Sequence, residues 1–341
     1  MHTVVRASIA VVGALLVLVL YAATARATAD RTWVASGGTN NVTCDRTTPC
    51  QTFQQAHDVT NPGGEITCVD AADYGQVVIN KSIRIVCDNT KAAILATTSG
   101  VTVGAGANDV VTLQGLSING NGTGLQGINF TAGAALHVHK VEIRNFRSGN
   151  PFTAGILFQR TGSAYSELYV ADSYITDNGG AGASSGGIVV FMQDTSSGNL
   201  VIDGVQLENS AVGVLVDISA GTGTTGTAIN ATVQNSVVVG GASHGIATAT
   251  AAGKAPIAIV VDGVTIASNF GTGVRASGVA ASGKGSAIIR VGNSTIVNNV
   301  VGVGTAGAGV VQSFKDNQIA GNLTDGTPLT AFPGPGGTPL Q

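Results

Sequence analysis

The feature that most restricts what this chain can fold into is an internal repeat. Written one beneath another, VTLQGLSINGN, LHVHKVEIRNF, LYVADSYITDN, LVIDGVQLENS, ATVQNSVVVGG, IVVDGVTIASN and IIRVGNSTIVNN are versions of one segment. An apolar anchor recurs at Ile118, Ile143, Ile175, Leu207, Val238, Ile266, Ile296 and, more loosely, Ile319, at spacings of 23 to 32 residues. Each of the first seven anchors is followed by Gly and then Ile or Val: Gly127-Ile128, Gly155-Ile156, Gly187-Ile188, Gly213-Val214, Gly245-Ile246, Gly273-Val274 and Gly302-Val303. Polar residues fill the interval, with Asn three positions after the anchor at Asn121, Asn178, Asn269, Asn299 and Asn322. Asn and Gly tolerate left-handed backbone, so these asparagines are expected to form the corners between two short strands.

Within the strands, Ile259 and Val261 alternate with Val260 and Asp262, the period-2 pattern of a surface with one side buried. One such unit buries a single stripe and cannot make a core alone. Stacking similar units at about 4.8 Å makes a continuous core and pairs each strand with its equivalents above and below. Rival repeats fit less well. Leucine-rich repeats need a Leu-dominated consensus, helical solenoids need stripes of period 3.6, and left-handed hexapeptide helices need a period of six. A propeller would need about four strands per blade and usually more aromatics than the 4% found here. With 49 Gly in 341 residues, long helices are disfavoured. Unequal coils joined by variable loops favour the right hand. The expected class is all-β: a single right-handed parallel β-helix with an N-terminal capping helix. The Gly-Ser-Ala loops at Asn178 to Gly187 and Ser219 to Thr227 expand certain corners and so define a face; in repeat folds such a face often carries binding.

Four segments follow. Residues 1–29 read as a signal peptide: His2 and Arg6 precede an apolar run from Ile9 to Ala23, and Ala27-Thr28-Ala29 offers a small-x-small cleavage pattern. Residues 30–63 form a cap in which Thr48-Pro49 opens a helical pattern from Gln51 to Val59, with Phe53 and Ala56 on one side. That helix should cover the terminal coil and its strand edges, with His57 at its edge. Residues 64–324 form the β-helix, and 325–341, rich in Pro and Gly, a flexible tail.

The localisation expected is secreted, periplasmic or extracellular, with no stable membrane span once the signal is cut. All four cysteines lie early in the chain, and an oxidising compartment favours two disulfides. The pairing favoured is Cys44 with Cys50 and Cys68 with Cys87. Cys68 and Cys87 are 19 residues apart, close to one minimal coil, and share strand phase with Ile66 and Ile85, so stacking at about 4.8 Å brings them within disulfide reach. Zinc fits poorly, because no C-x-x-C occurs and His57 is the only nearby imidazole. The formal charge of −3 becomes about −5 when Arg6 and Arg26 leave with the signal. With no basic stripe, nucleic acid is not an expected partner.

The repeated strand-Asn-Gly-Ile/Val pattern, together with the opening segments C-x5-C-x-T-F from Cys44, GGEITC ending at Cys68 and VVINKSIRIVC ending at Cys87, resembles the right-handed parallel β-helix superfamily of pectate lyases, pectin lyases and polygalacturonases. The resemblance covers roughly Cys44 to Asn322, and the opening segments are similar to those of secreted bacterial members without an assigned reaction. The motifs that would carry the family's chemistry are missing. Polygalacturonases are marked by Asn-Thr-Asp, Asp-Asp, Gly-His-Gly and Arg-Ile-Lys; only Ser243-His244-Gly245 comes near, so the paired carboxylates of glycoside hydrolysis have no counterpart. The W-x-D-H and R-x-P-x-x-R patterns of pectate lyases are absent too. Fold therefore does not carry function here.

The residues left as catalytic candidates are Asp217, His244 and Arg275, as acid, proton carrier and cation. Asp217 and Arg275 each follow a Gly-Val strand start and should point outward, whereas His244 also reads as a corner residue. Asp203, Gln234 and Asp262 fall at equivalent outward positions, with the two carboxylates about 9 to 10 Å apart, too wide to share one calcium ion. Asp172, Asp177 and Asp194 surround one expanded repeat and would collect a cation only if its loop folded back. Calcium is the one cofactor the resemblance brings into view, without a matched site. Tyr165, Tyr169 and Tyr174 cluster in one repeat as a candidate binding patch, Tyr165 and Tyr169 also reading as ordinary amphipathic strand residues. Two functions compete: a non-catalytic exported β-helix that binds polysaccharide or another cell-envelope surface along an exposed sheet face, and a polysaccharide lyase or glycoside hydrolase with atypical active-site residues.

Overall fold

The computed structural model describes residues 29–332 apart from 89, 161–164, 181, 183, 193–196 and 220–227. Residues 1–28 of the expected signal peptide, Asp194, most of the Ser219 to Thr227 loop and the last nine residues therefore lie outside the described residues. The rest is a right-handed β-solenoid with three parallel sheets of twelve, nine and ten strands. Coils succeed one another so regularly that every strand of a sheet, apart from the first and the last, pairs with the strand one coil earlier and one coil later.

The anchors of the repeat make the inward column of the nine-stranded sheet. Ile118, Ile143, Ile175, Leu207, Val238, Ile266, Ile296 and Ile319 are paired in register, and Ile94 extends the column by one coil. All are buried except Ile319, which is partly covered in the last coil. Columns of Ile and Val from the other two sheets meet them, and Phe130 stacks on Phe158 with centroids 4.4 Å apart. The recurring apolar anchor of the sequence pattern thus translates into like side chains piled on like, whatever the length of the loops between them.

The glycine that precedes the Ile or Val in the seven repeated strands of the ten-stranded sheet is there for close approach. A Cβ on Gly213 would lie 2.3 Å from Val238 Cγ1, an anchor side chain, and 2.6 Å from the carbonyl oxygen of Gly245 one coil on. The corner geometry differs from the expectation. The left-handed residue lies two positions after the anchor, at Asn145, Asp177, Asn209, Ser268 and Asn298, not three. Of the asparagines at the third position, Asn178, Asn269 and Asn299 are buried and turn their amides inward; Asn121 alone has the expected positive φ, 51°. An inward amide can bond the backbone N–H left over at a corner, which a solvent-facing turn residue cannot.

The corner between the twelve- and nine-stranded sheets is a short bend built on a second ladder. Ser173, Ser236 and Ser294 each accept a backbone N–H from the preceding coil, from Val141, Val205 and Val264. Each donates its hydroxyl to a carbonyl two residues earlier.

At the N-terminal end, helix α1 (Phe53–Val59) is capped by Thr52, whose side chain accepts the Gln55 N–H. It buries Phe53, Ala56, His57 and Val59, and Phe53 packs on Tyr74 at 5.1 Å. His57 is 1% exposed, so it faces the core and not the helix edge. Gln54 Oε1 accepts the N–H of Val78 at 2.8 Å, on the first strand of the ten-stranded sheet. A helix side chain thereby satisfies part of an otherwise open edge. Strand Ala29–Val34 leads the twelve-stranded sheet, parallel to Thr60–Cys68, and starts at the residue before the expected cut. Cys44 is bonded to Cys50 and Cys68 to Cys87, the latter pair with Cα atoms 4.9 Å apart. At the other end the chain keeps coiling past Asp325: Thr324–Gly326 joins the ten-stranded sheet and Thr330–Ala331 the twelve-stranded sheet. Backbone pairing continues there although the sequence has lost its apolar period. Among the described residues no helix is long and apolar enough to cross a membrane.

Candidate functional site

In a strand of the ten-stranded sheet, alternation sends Val214 and Val216 inward and Leu215 and Asp217 outward. Outward residues of a solenoid are normally solvated, yet here Leu215 and Asp217 are 5% and 7% exposed. Leu215 belongs to a second apolar cluster with Leu157, Val189, Phe191 and Ala247, against which Phe152 packs. Asp217 accepts Ser184 Oγ at 2.7 Å, Ser219 N at 2.9 Å and Ser219 Oγ at 2.7 Å. The carboxylate thus ties two loop segments to the sheet.

His244 and Arg275 meet at the neighbouring corner, with His244 Nε2 2.9 Å from Arg275 Nη1 and His244 Nδ1 accepting the Thr272 N–H at 3.1 Å. Burial, and then the adjacent guanidinium, push the imidazole pKa below its ordinary value. The pair therefore combines a neutral imidazole with a fixed cation. Asp217 does not join it. Leu215, Ala247 and Arg275 are in register on successive coils, so Asp217 stands two coils back and two residues along, about 12 Å away from strand spacings. Of the three candidates, two touch and the third is sequestered.

The acidic groups are likewise engaged one by one. Asp172 contacts His139 Nε2 at 2.9 Å and Asp177 pairs with Arg147 Nη2 at 2.7 Å, while Asp194 lies outside the described residues. Asp203, Gln234 and Asp262 are in register, and Gln234 Nε2 donates to Asp203 Oδ2 at 3.0 Å. Among the described residues no three His, Cys, Asp or Glu side chains group as metal ligands.

The tyrosines divide between two faces. Tyr165 and Tyr169 stand on the outer face of the twelve-stranded sheet, 46% and 39% exposed, separated by Glu167 on the same face. Tyr165 OH donates to Glu167 Oε1 at 2.9 Å, and desolvation followed by this hydrogen bond pushes its pKa up to about 12. Tyr169 has His137 edge-on one coil earlier at 6.1 Å. Glu167, Asn199 and Asn230 stack in register, with Asn230 Nδ2 donating to Asn199 Oδ1 at 3.3 Å. Tyr174 lies instead on the nine-stranded sheet, its hydroxyl donating to Glu208 Oε2 at 2.8 Å. A strand boundary between Ala171 and Tyr174 turns the chain through a corner, which proximity in sequence does not reveal. Two further features escape the sequence reading. The amide column of Asn199 and Asn230 becomes visible only when outward positions are aligned coil by coil. Phe270, 76% exposed, occupies a corner position where the preceding coils carry Ala211 and Ala242.

These faces belong to a right-handed parallel β-helix. Among solved structures the chain is similar to pectate lyase Pel9A, with a TM-score of 0.56 and 15% identity over 84% of this chain and 80% of that one. It is also similar to an alginate lyase from Paenibacillus sp. str. FPU-7, with a TM-score of 0.48 and 18% identity over 89% and 99% of the two chains. No protein-family profile matches the chain, and no curated protein sequence does.

Proposed function

We propose that this chain is an exported, non-catalytic β-helix that binds polysaccharide along the outer face of its twelve-stranded sheet. The observation that carries this reading is the combination of two exposed phenol rings, Tyr165 and Tyr169, with a column of side-chain amides and a carboxylate on one flat face. Rings offer apolar platforms and the amides offer directional donors and acceptors, the mixture by which concave or flat sites orient hydroxyl-rich ligands. One solved structure of similar fold is named a pectate lyase, which makes carbohydrate the ligand class to test first. Two disulfides fit an extracellular or periplasmic setting. The test is affinity electrophoresis of the chain in gels containing a panel of polysaccharides. Retardation that weakens about tenfold in Tyr165→Ala/Tyr169→Ala supports the proposal, and unchanged mobility of the wild type in every gel refutes it.

A second reading, a lyase or hydrolase using Asp217, His244 and Arg275, is favoured by one observation, the contact of a neutral imidazole with a guanidinium. Against it stands the distance of Asp217. Incubation with the same panel, with and without calcium, discriminates the two: new reducing ends or an ultraviolet-absorbing unsaturated product, lost in His244→Ala, would establish catalysis.

A further inference from the structure

The corner that leads from the nine-stranded to the ten-stranded sheet carries an apolar column on its outside. Phe270, Val300 and Leu323 occupy the same position on three successive coils, linked by hydrogen bonds from the Val300 N–H to Asn269 O and from the Leu323 N–H to Asn299 O. Phe270 is 76% and Leu323 80% exposed, values usually reserved for polar corner residues. Between them lies a shallow cleft of about 480 Å3, edged by Ser268 and Asn298. No charged residue lines it. Ser268 and Asn298 both have left-handed backbone, with φ of 56° and 57°, and among the described residues neither side chain makes a hydrogen bond. The rim thus holds a hydroxyl and an amide with free bonding capacity beside an aromatic floor.

We infer that this cleft is a second carbohydrate site, one that takes a neutral pyranose ring. A pyranose has an apolar C–H face, which matches the Phe270 ring and the Val300 and Leu323 side chains, and an edge of hydroxyls, which matches Ser268 Oγ and the Asn298 amide. The absence of charge in the lining argues for an uncharged sugar, since a carboxylated or sulfated ring would leave its anion without a partner. A second copy of the chain fits less well. Three side chains along one corner span about 10 Å, whereas a stable protein interface covers about 800 Å2 on each partner. The inference rests on the polysaccharide reading for its ligand class but uses a different face and different residues, and Phe270 on the corner is remote in the repeat from Tyr165 and Tyr169.

The experiment is affinity electrophoresis of the full chain in gels containing a neutral β-glucan or galactomannan, with polygalacturonate gels in parallel. The variants are Phe270→Ala, Phe270→Trp and Tyr165→Ala/Tyr169→Ala, each checked for an unchanged thermal melt, which the exposure of all three side chains makes the expected result. The site is supported if the neutral polymer retards the wild type, Phe270→Ala weakens that retardation about tenfold, and Phe270→Trp preserves it. It is overturned if no neutral polymer retards the wild type, if Phe270→Ala behaves as the wild type, or if sedimentation equilibrium reveals a dimer that Phe270→Ala dissociates. Retardation by either polymer that depends on the tyrosines but not on Phe270 would sink this site while leaving the proposed function intact.

Discussion

Asn299 Oδ1 accepts both the backbone N–H of Asn269, at 3.0 Å, and its Nδ2, at 2.8 Å. The same relation is repeated one coil on, where Asn322 Oδ1 accepts the Asn299 N–H at 2.9 Å and Nδ2 at 3.0 Å. Asn299 Nδ2 also reaches Ile266 O at 3.1 Å. The ladder therefore serves backbone groups at a corner where strand pairing has stopped. Asn299→Ala strands at least one buried N–H, at a cost of about 1–3 kcal/mol per unsatisfied group. Asn299→Asp keeps the acceptor but turns a carboxylate toward Ile266 O and Asn322 Oδ1, and is expected to be the more damaging at neutral pH. Urea midpoints read both. An aspartate variant as stable as the wild type would show that the ladder is not what holds the corner.

Gly213 tests the close-packed column. A methyl group there meets Val238 Cγ1 and the Gly245 carbonyl oxygen, and the carbonyl belongs to a hydrogen-bonded coil that cannot easily yield. Overpacking of this kind costs about 1–3 kcal/mol, so Gly213→Ala should lower the unfolding midpoint accordingly. Gly149 is the control, since a Cβ there meets nothing within 4 Å. Gly149→Ala should leave stability unchanged or raise it by about 0.4–1 kcal/mol through the unfolded chain. Equal effects at the two positions would contradict the packing account.

The repeat made the solenoid legible because its core demands the same side chain at the same place in every coil. Ile143, Ile175 and Leu207 align in the sequence alone, and they stack in register. The glycine before Ile188 or Val214 was equally visible, though its reason, a carbonyl and an anchor within 3 Å of a Cβ, is a tertiary fact. Corners were less legible. Asn tolerates left-handed backbone and also makes inward hydrogen bonds, and sequence alone does not say which property Asn269 uses. Site residues were the least legible, because outward positions carry no repeating constraint. Tyr174 sits five residues from Tyr169 yet faces another way, and Phe270 looks like a core residue until its corner is located.

The two disulfides should contribute unequally. Cys68–Cys87 closes 19 residues and Cys44–Cys50 closes 6. In the chain-entropy model a longer loop costs the unfolded state more freedom, giving about 3 kcal/mol for the first and about 2 kcal/mol for the second. Cys68→Ser/Cys87→Ser is therefore expected to lower unfolding stability by about 1 kcal/mol more than Cys44→Ser/Cys50→Ser. Chemical denaturation of both double variants measures the difference. The reverse order would mean that the cap loop around Asp45, whose carboxylate accepts hydrogen bonds from Thr47 and Thr48, depends on its bridge more than the stacked coils do on theirs.

His57 gives the capping end a pH dependence of known sign. Its Nε2 is buried with no hydrogen-bond partner among the described residues, and its Nδ1 lies 3.1 Å from Asp58 Oδ1. Burial lowers its pKa most; Asp58 opposes this through a hydrogen bond, and Lys81, whose Nζ donates to Thr60 O, adds to the lowering. The unfolded chain, with an ordinary histidine pKa of about 6.5, therefore takes up a proton at a higher pH than the folded one does. This contribution to stability is complete above the unfolded pKa and is lost as pH falls below it toward the folded pKa. Wild type should be less stable at pH 5.5 than at pH 7.5. His244, lowered by burial and by Arg275, acts with the same sign, so His57→Gln should reduce the difference and His57→Gln/His244→Gln reduce it further. Asp70 and Asp109, held below the ordinary carboxylate range by hydrogen bonds, lose their contribution only near or below about pH 4, outside this window. Urea unfolding at the two pH values measures the difference directly, and a His57→Gln variant with the full wild-type difference would show that the buried imidazole is not its source.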